Sequence, residues 1–251
     1  MLKVSETWKL FINELRLFVR EPMVLAFVFA FPVITVLVLG GVFELAPPVV
    51  FDYIDPSEYY VAGYIAVSIA SIGFVMMPVH IASYRERGIL RRLRASNFSM
   101  ISFYIAQFLS GFVMTILSTI ALMIAAYFSY GIPPVFSYPG VIAGFVLGTM
   151  TFISIGILLG NLAPTARSAQ ALGLLVFFPS FLLSGAGPPP NTMTDIMSNI
   201  SDVIPMTHTL RSVQEPWLNL GSSTDHLFIM AGTFILTTYL WVHLSHRKSS
   251  E

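Results

Sequence analysis

The chain has no cysteine and few charged residues, and each of these absences excludes a class of protein. Without Cys among its 251 residues, it has neither a disulfide framework nor thiolate chemistry. Only 10% of its residues are charged, against about 25% in ordinary soluble domains. By contrast, 55% are hydrophobic and the mean hydropathy is +0.77. This composition predicts an integral membrane protein.

The chain also lacks the phosphate-binding loop of common ATPases, since no Gly-Lys pair occurs anywhere in it. We therefore expect no enzyme activity and no bound cofactor or metal, and we expect no nucleic-acid partner. Met76 and His80 are soft ligands of the type that copper prefers, but the residues of this short cluster cannot all point to one side.

Six stretches without Asp, Glu, Lys or Arg are each long enough to cross a bilayer. A helix rises about 1.5 Å per residue and the hydrocarbon core is about 30 Å thick. The sequence therefore predicts an all-α protein in which a connecting helix over residues 1–22 precedes a single transmembrane domain over residues 23–251. The predicted spans are residues 23–43, 59–83, 99–130, 140–160, 170–187 and 226–244.

The distribution of Lys and Arg predicts the orientation. With these six spans, twelve of the thirteen basic residues fall on one face of the membrane, and Arg211 alone falls on the other. Because cytoplasmic loops are enriched in Lys and Arg, we expect a multi-pass protein of the plasma or inner membrane with both termini in the cytoplasm. The opposite face carries the acidic residues Glu44, Asp52, Asp55, Glu58, Asp195, Asp202, Glu215 and Asp225.

Ionisable side chains are nearly absent from the spans. Carriers driven by ions or protons usually need such groups within the membrane. Only His80, His226 and His243 occur in these stretches, all of them near span ends. An ion-driven carrier or channel is therefore disfavoured, although it stays an alternative.

Apolar residues recur at helical spacing before the first span and predict an amphipathic helix lying at the membrane interface. They are Trp8, Phe11, Ile12, Leu15, Phe18 and Val19. Pro22 separates this helix from the first span. The helix is either a simple anchor or a functional element.

Two further patterns predict helix packing. Residues 193–204 have an apolar face at helical spacing and predict a short helix against the outer leaflet, followed by a second short helix over residues 207–214. Glycines spaced mainly by four along the fourth span allow a neighbouring helix to approach closely, either within the chain or between subunits. They are Gly140, Gly144, Gly148, Gly156 and Gly160.

An Arg-rich block over residues 84–94 follows the second span. Its apolar residues Ile89, Leu90 and Leu93 form a strip at helical spacing. The remaining positions carry Arg85, Arg87, Arg91, Arg92 and Arg94. The block is either a loop that only sets topology, or an amphipathic cytoplasmic helix suited to a groove of another protein.

In these features the chain resembles the membrane subunits of ABC transporters of the ABC-2 type, and the likeness covers nearly the whole sequence. Residues 11–22, which end in Arg20-Glu21-Pro22, resemble that family's connecting helix. Residues 85–93 resemble its cytoplasmic coupling loop. Residues 183–185, 190–196 and 204–211 resemble its extracellular re-entrant helices.

The resemblance implies an exporter of an amphiphilic substrate, such as a drug, lipid or glycan. It implies a dimer with a second copy or a paralogous permease, set in membrane lipid and driven by separate ATPase subunits that bind ATP and Mg. The alternative class is a membrane scaffold or assembly subunit without transport of its own.

The resemblance also assigns residues to roles. For ATPase docking these are Arg85, Glu86, Arg87, Gly88, Leu90, Arg91 and Leu93; for the connecting helix Phe11, Leu15, Arg20 and Glu21; for the re-entrant segment Ser184, Gly185, Pro205 and Arg211.

Overall fold

The computed structural model of the chain describes residues 4–43, 47–96, 99–133 and 138–247, and within these ranges it contains helices and no strand. Short 3₁₀ turns occupy Pro48–Phe51 and Pro190–Thr192. The helices are α1 Val4–Phe18, α2 Pro22–Val42, α3 residues 56–86, α4 Ile89–Ala95, α5 Met100–Tyr130, α6 Pro139–Leu162, α7 Ala166–Leu183, α8 Asp195–Ser201, α9 Pro205–Trp217 and α10 Thr224–Arg247.

Six of these helices, α2, α3, α5, α6, α7 and α10, are long and apolar enough to cross a membrane, which confirms the predicted all-α class with six spans. The fifth span lies four residues earlier than predicted, because α7 covers Ala166–Leu183 and ends at Leu183 and not at residue 187; the predicted stretch and the helix both have 18 residues. The chain turns at Gly185, whose φ of +90° is a backbone conformation that glycine adopts readily.

Prolines inside two spans coincide with wider helical turns. The π-helical segments Ala26–Ala30 of α2 and Ile72–Met76 of α3 lie immediately before the turns that contain Pro32 and Pro78. Proline lacks an N–H and clashes with the preceding turn, and a π segment relieves both problems. Pro179 of α7 lies within a regular α-helix.

Helix α3 occupies the centre of the bundle. Its residues 59–82 are buried without exception, and it packs against α2, α5, α6, α7 and α9. A helix that is apolar all round is expected in such a position. In the outer helices α2, α7 and α10, less than a third of the apolar stretch is buried within the chain.

The glycines of α6 allow close packing within this chain. A Cβ added at Gly156 would lie 2.3 Å from the backbone carbonyl oxygen of Gly73 in α3, and one at Gly144 would lie 2.6 Å from that of Ser212 in α9. The glycine ridge thus serves intramolecular packing, which is one of the two alternatives left open by the sequence.

The side-chain contacts described below place opposite charges at the two ends of the bundle. We call the end with Arg20, Arg85, Arg87, Arg91 and Arg167 the basic end, and the end with Asp52, Asp55, Asp202 and Glu215 the acidic end. Arg211 lies at the acidic end, where it pairs with Asp202 at 3.1 Å. The predicted topology also used Lys3, Glu44 and Lys248, which lie outside the described residues.

Both short helices predicted after the fifth span are present, in different surroundings. In α8 the apolar side chain of Ile196 is 73% exposed, and Val203 just beyond this helix is 79% exposed. Helix α9 begins at the half-buried Pro205 and is largely buried against α3, α6 and α10. Contact of α8 with the outer leaflet and a re-entrant course of α9 remain predictions.

Candidate functional site

The candidate site lies at the basic end, where α3 meets α4 and α1. Gly88 joins α3 to α4 with a φ of +68°, and its N–H donates to the carbonyl of Arg85 at 3.0 Å. This left-handed residue ends α3 and reverses the chain, so that α4 starts at the next residue. The Arg-rich block is therefore a helical corner and not an extended loop.

The apolar strip of α4 packs on the chain's own bundle. Leu90 is only 6% exposed, and Ile89 and Leu93 pack against the same core cluster, which includes Phe18 of α1 and Val24 of α2. The sequence predicted that this strip faces a groove of another protein. Leu90 instead packs in the core of this chain, so its side chain is not accessible to a partner. The side of α4 that carries Arg91 and Arg92 is exposed; the side chain of Arg94 lies outside the described residues.

Arg85 and Glu86 tie the end of α3 to the turn between α6 and α7. The Arg85 guanidinium donates to the backbone carbonyl of Asn161, and the Glu86 carboxylate accepts from the N–H of Ala166 at 2.9 Å. The second contact caps the N-terminus of α7, where a negative charge is favourable. The charged docking residues predicted from the sequence that are exposed are Glu86, Arg87 and Arg91, and of these Glu86 already holds the N–H of Ala166.

Helix α1 buries only one of its two apolar stripes. Phe11 and Phe18 are buried, whereas Trp8 is 60% and Val19 is 69% exposed. Leu15 is half-buried between these faces. Beyond the helix, Arg20 is exposed and Glu21 is half-buried. The exposed stripe is suited to lipid, but an interfacial position of α1 remains a prediction.

A carboxylate lies within the buried face of α1. The side chain of Glu14 is completely buried, and it accepts a hydrogen bond from the hydroxyl of Tyr84 at 2.6 Å and one from Nε2 of His80, both residues of α3. The ring of Phe18 packs on the imidazole with a centroid distance of 4.2 Å. Because a buried carboxylate is costly without such donors, this triad fixes α1 to α3.

Sequence reasoning missed Glu14. Its signal is its position three residues after Phe11 and four before Phe18, on the face that those two residues bury. An acidic residue at that register, together with a histidine near the end of a span, could have indicated a buried pair.

At the acidic end, α3 is tied to the turn after α7 and to α9. The hydroxyls of Tyr59 and Tyr60 donate to the carbonyls of Gly185 and Gly187 at 3.2 and 3.0 Å. The Gln214 amide of α9 donates to the carbonyl of Tyr59 at 2.9 Å. Ser184 and Gly185, predicted in the re-entrant segment, are thus buried against the start of α3.

Two histidines connect α9 to α10. His208 Nε2 donates to the Asp202 carbonyl at 2.9 Å, so its Nδ1 is the acceptor for His226 Nδ1 at 3.0 Å. His226 Nε2 in turn lies 3.1 Å from the Glu215 carboxylate. Burial lowers the pKa of His208 below its ordinary 6.5, which favours the neutral ring that this geometry requires. Among the described residues, no cluster of three or more His, Asp or Glu has the arrangement of a metal site.

Six apolar spans, one of them the buried central helix α3, with a short cationic helix at one end, define a multi-pass helical membrane protein. The model of the family described as "ABC-2 type transporter" matches residues 5–216. The chain therefore belongs to the ABC-2 type transporter family.

Two curated relatives carry the name inner membrane transport permease YhhJ, one from Escherichia coli strain K12 and one from Shigella flexneri. Each is 25% identical to this chain over 162 residues, which cover 64% of the chain and 43% of the relative. The match thus covers less than half the length of these relatives.

Proposed function

We propose that the chain is the membrane-spanning permease subunit of an ATP-driven ABC transporter, and that a separate ATPase subunit docks at α4. The observation that carries this proposal is the family match over residues 5–216 in a chain without a phosphate-binding loop. ATP and Mg then bind on the partner, and the permease supplies the path across the membrane.

The docking surface proposed here is the exposed cationic side of α4 with Arg87 and the edge of Leu93. Arg87 and Arg91 present guanidinium groups that suit acidic side chains or backbone carbonyls of a partner. Leu93 is half-buried, so one part of its side chain holds α4 on the bundle and the other is open to contact.

Three contacts can transmit a movement of α4 to the rest of the bundle. Gly88 joins α4 directly to the end of α3. The Glu14 carboxylate joins α3 to α1, and Glu86 joins α3 to the start of α7. A displacement of α4 therefore acts on α1, α3 and α7 together, because packed helices shift as units and are not continuously deformable.

The central helix α3 can carry the displacement to the acidic end. Its residues 59–82 are buried along the whole distance, and Tyr59 and Tyr60 hold the turn that contains Gly185 and Gly187. In this proposal, the same helix that receives the push at the basic end moves the segment between α7 and α9. That segment becomes the gate through which substrate leaves.

The direction, cargo and assembly follow from the resemblance and from the composition of the spans. We propose export, with the basic end in the cytoplasm and the N-terminal segment on that side. Spans without Asp, Glu, Lys or Arg suit an amphiphilic cargo such as a drug, lipid or glycan. A second copy or a paralogous permease completes a twelve-span channel, with each half offering six spans.

The experiment is co-expression of the chain with an ABC-type ATPase from its own genome, followed by purification and ATPase assay in proteoliposomes. Wild type is expected to copurify with the ATPase and to stimulate its turnover, whereas Leu93→Asp abolishes both and still inserts into the membrane. The matched control is Ile196→Asp, on α8 at the acidic end, where the native side chain is 73% exposed and docking is not expected to depend on it. Insertion of each variant is verified by membrane fractionation.

Two results would contradict the proposal. A chain that copurifies with no ATPase would favour the scaffold class. Substrate transport driven by an ion gradient without ATP would favour the ion-driven carrier.

A further inference from the structure

A small pocket opens beside the Glu14–His80–Tyr84 triad at the basic end. It has a volume of about 220 Å³ and lies between the end of α1, the end of α3 and the start of α4. This is smaller than the roughly 300–1,000 Å³ of pockets for drug-sized ligands. Its lining combines cationic, polar and apolar side chains: Leu17, Arg20, Glu21, His80, Ser83, Tyr84, Arg87 and Ile89.

Two arginines line this pocket. Arg20 lies in the turn after α1 and Arg87 in the turn after α3, and neither guanidinium has an ion pair or hydrogen-bond partner within the described part of the chain. His80 lines the same pocket, and its Nε2 donates to the Glu14 carboxylate behind the wall.

The charges of the lining favour an anion of low charge. Arg20 and Arg87 supply two positive charges and Glu21 one negative charge, while Glu14 behind the wall is compensated by the two donors of the triad. The planar fork of the arginine guanidinium can donate to two phosphate oxygens at once. A singly charged phosphodiester fits this balance better than a multiply charged phosphate.

The position of the pocket identifies the source of the phosphate. Arg20 precedes the first residue of span α2 by two positions, and Arg87 follows the last residue of span α3. Both therefore lie at headgroup depth, where basic pockets between transmembrane helices bind lipid headgroups. The apolar side chains of Leu17 and Ile89 offer contacts for the glycerol and upper acyl region.

We propose that this pocket binds the phosphate group of an anionic phospholipid, with Arg20 and Arg87 as its donors. The bound lipid fills the space between α1 and α4. The inference rests on the pocket and on its place at two span ends; it shares Arg87 with the proposed docking surface, so Arg20, which is not part of that surface, tests it separately from ATPase docking.

The test is lipid binding to the purified full chain in detergent, measured by native mass spectrometry with phosphatidylglycerol and phosphatidylcholine supplied in equal amounts. Wild type is expected to retain phosphatidylglycerol preferentially. Arg20→Gln and Arg87→Gln each reduce this preference roughly two- to fivefold, since partly exposed charge pairs contribute about 0.2–1 kcal/mol. The controls Arg16→Gln and Arg91→Gln remove equally exposed arginines that do not line the pocket, and they change the preference less than about twofold.

Three outcomes would overturn the proposal: no preference for phosphatidylglycerol in wild type, equal losses in the Arg16 and Arg91 controls, or displacement of the lipid by millimolar inorganic phosphate. The third result would assign the pocket to free phosphate. Unchanged gel-filtration profiles and partial recovery of the preference in Arg20→Lys and Arg87→Lys separate loss of binding from misfolding.

Discussion

Replacing Glu14 by Leu should weaken the attachment of α1 to the bundle by removing its hydrogen bonds to α3, while its packing against α5 remains. The carboxylate is completely buried and accepts from Tyr84 and His80, so an apolar side chain leaves two buried donors without their acceptor. Each such loss costs about 1–3 kcal/mol, and the sum is roughly 2–4 kcal/mol after partial relaxation. Glu14→Gln keeps the shape and one acceptor oxygen and should cost about 1 kcal/mol.

The absence of native cysteine provides the assay. Thr7 lies on the buried face of α1 with 6% exposure, and Thr7→Cys introduces the chain's single thiol there. If the thiol reacts only when α1 detaches, then lowering the free energy of detachment by 2–4 kcal/mol raises the labelling rate roughly 30- to 1,000-fold, since each 1.4 kcal/mol corresponds to a factor of ten. Trp8→Cys, at a position 60% exposed, should label fast with and without Glu14.

A double variant tests the pairing itself. In Glu14→Leu/His80→Leu only the Tyr84 hydroxyl loses its acceptor, instead of two donors, so labelling at residue 7 should be roughly 5- to 30-fold faster than in the starting protein and slower than in Glu14→Leu. Labelling of Thr7→Cys at an unchanged rate in Glu14→Leu would refute the idea that the triad holds α1 in place.

Three further predictions concern other contacts of the fold. Gly156→Ala should strongly lower the thermal midpoint in detergent, because a Cβ there would lie 2.3 Å from a backbone oxygen. The control Gly232→Ala should leave the midpoint unchanged, because a Cβ at Gly232 has nothing within 4 Å. Equal midpoints for the two variants would contradict the close packing at Gly156. Gly88→Ala should lower the free energy of unfolding by about 1 kcal/mol, because Gly88 has a φ of +68°. Gly88→Pro cannot adopt that φ and should abolish partner-stimulated ATPase activity. Full ATPase activity of the proline variant would rule out a role of the turn at Gly88 in coupling. Burial lowers the pKa of His208, so the unfolded chain binds the proton of this histidine more tightly than the folded chain does. The thermal midpoint should therefore be highest above a pH of about 6.5 and fall at lower pH, more steeply than in His208→Gln. If the midpoints of the two proteins change equally with pH between about 5 and 8, the buried contact of His208 with His226 is contradicted.

The six spans were predictable because long uncharged apolar stretches have few alternatives in a membrane protein. The end of the fifth span was not predictable in the same way, because the uncharged stretch continues to Gly187 although the helix ends at Leu183 and the backbone turns at Gly185. Apolar composition indicates what lipid tolerates, but it does not indicate where a helix stops.

The candidate site was predictable in outline and not in its contacts. The spacing of Leu90 and Leu93 indicated an amphipathic helix, but only the fold shows that Leu90 is buried in this chain's own core. Helix α1 has two apolar stripes, and the positions of α3 and α5 decide which is buried. For the same reason, the sequence alone did not reveal the role of Glu86 as a cap on α7 or the burial of Glu14.

The central claim is that the partner ATPase docks at α4, and site-specific cross-linking tests it most directly. In the otherwise cysteine-free chain, Arg91→Cys places a thiol on the exposed side of α4, and Val203→Cys places one at the acidic end, where the native side chain is 79% exposed. With a short thiol-to-amine cross-linker, the account predicts an adduct with the ATPase subunit from position 91 and none from position 203. An adduct from position 203, or no adduct from position 91 in a complex that hydrolyses ATP, would contradict it.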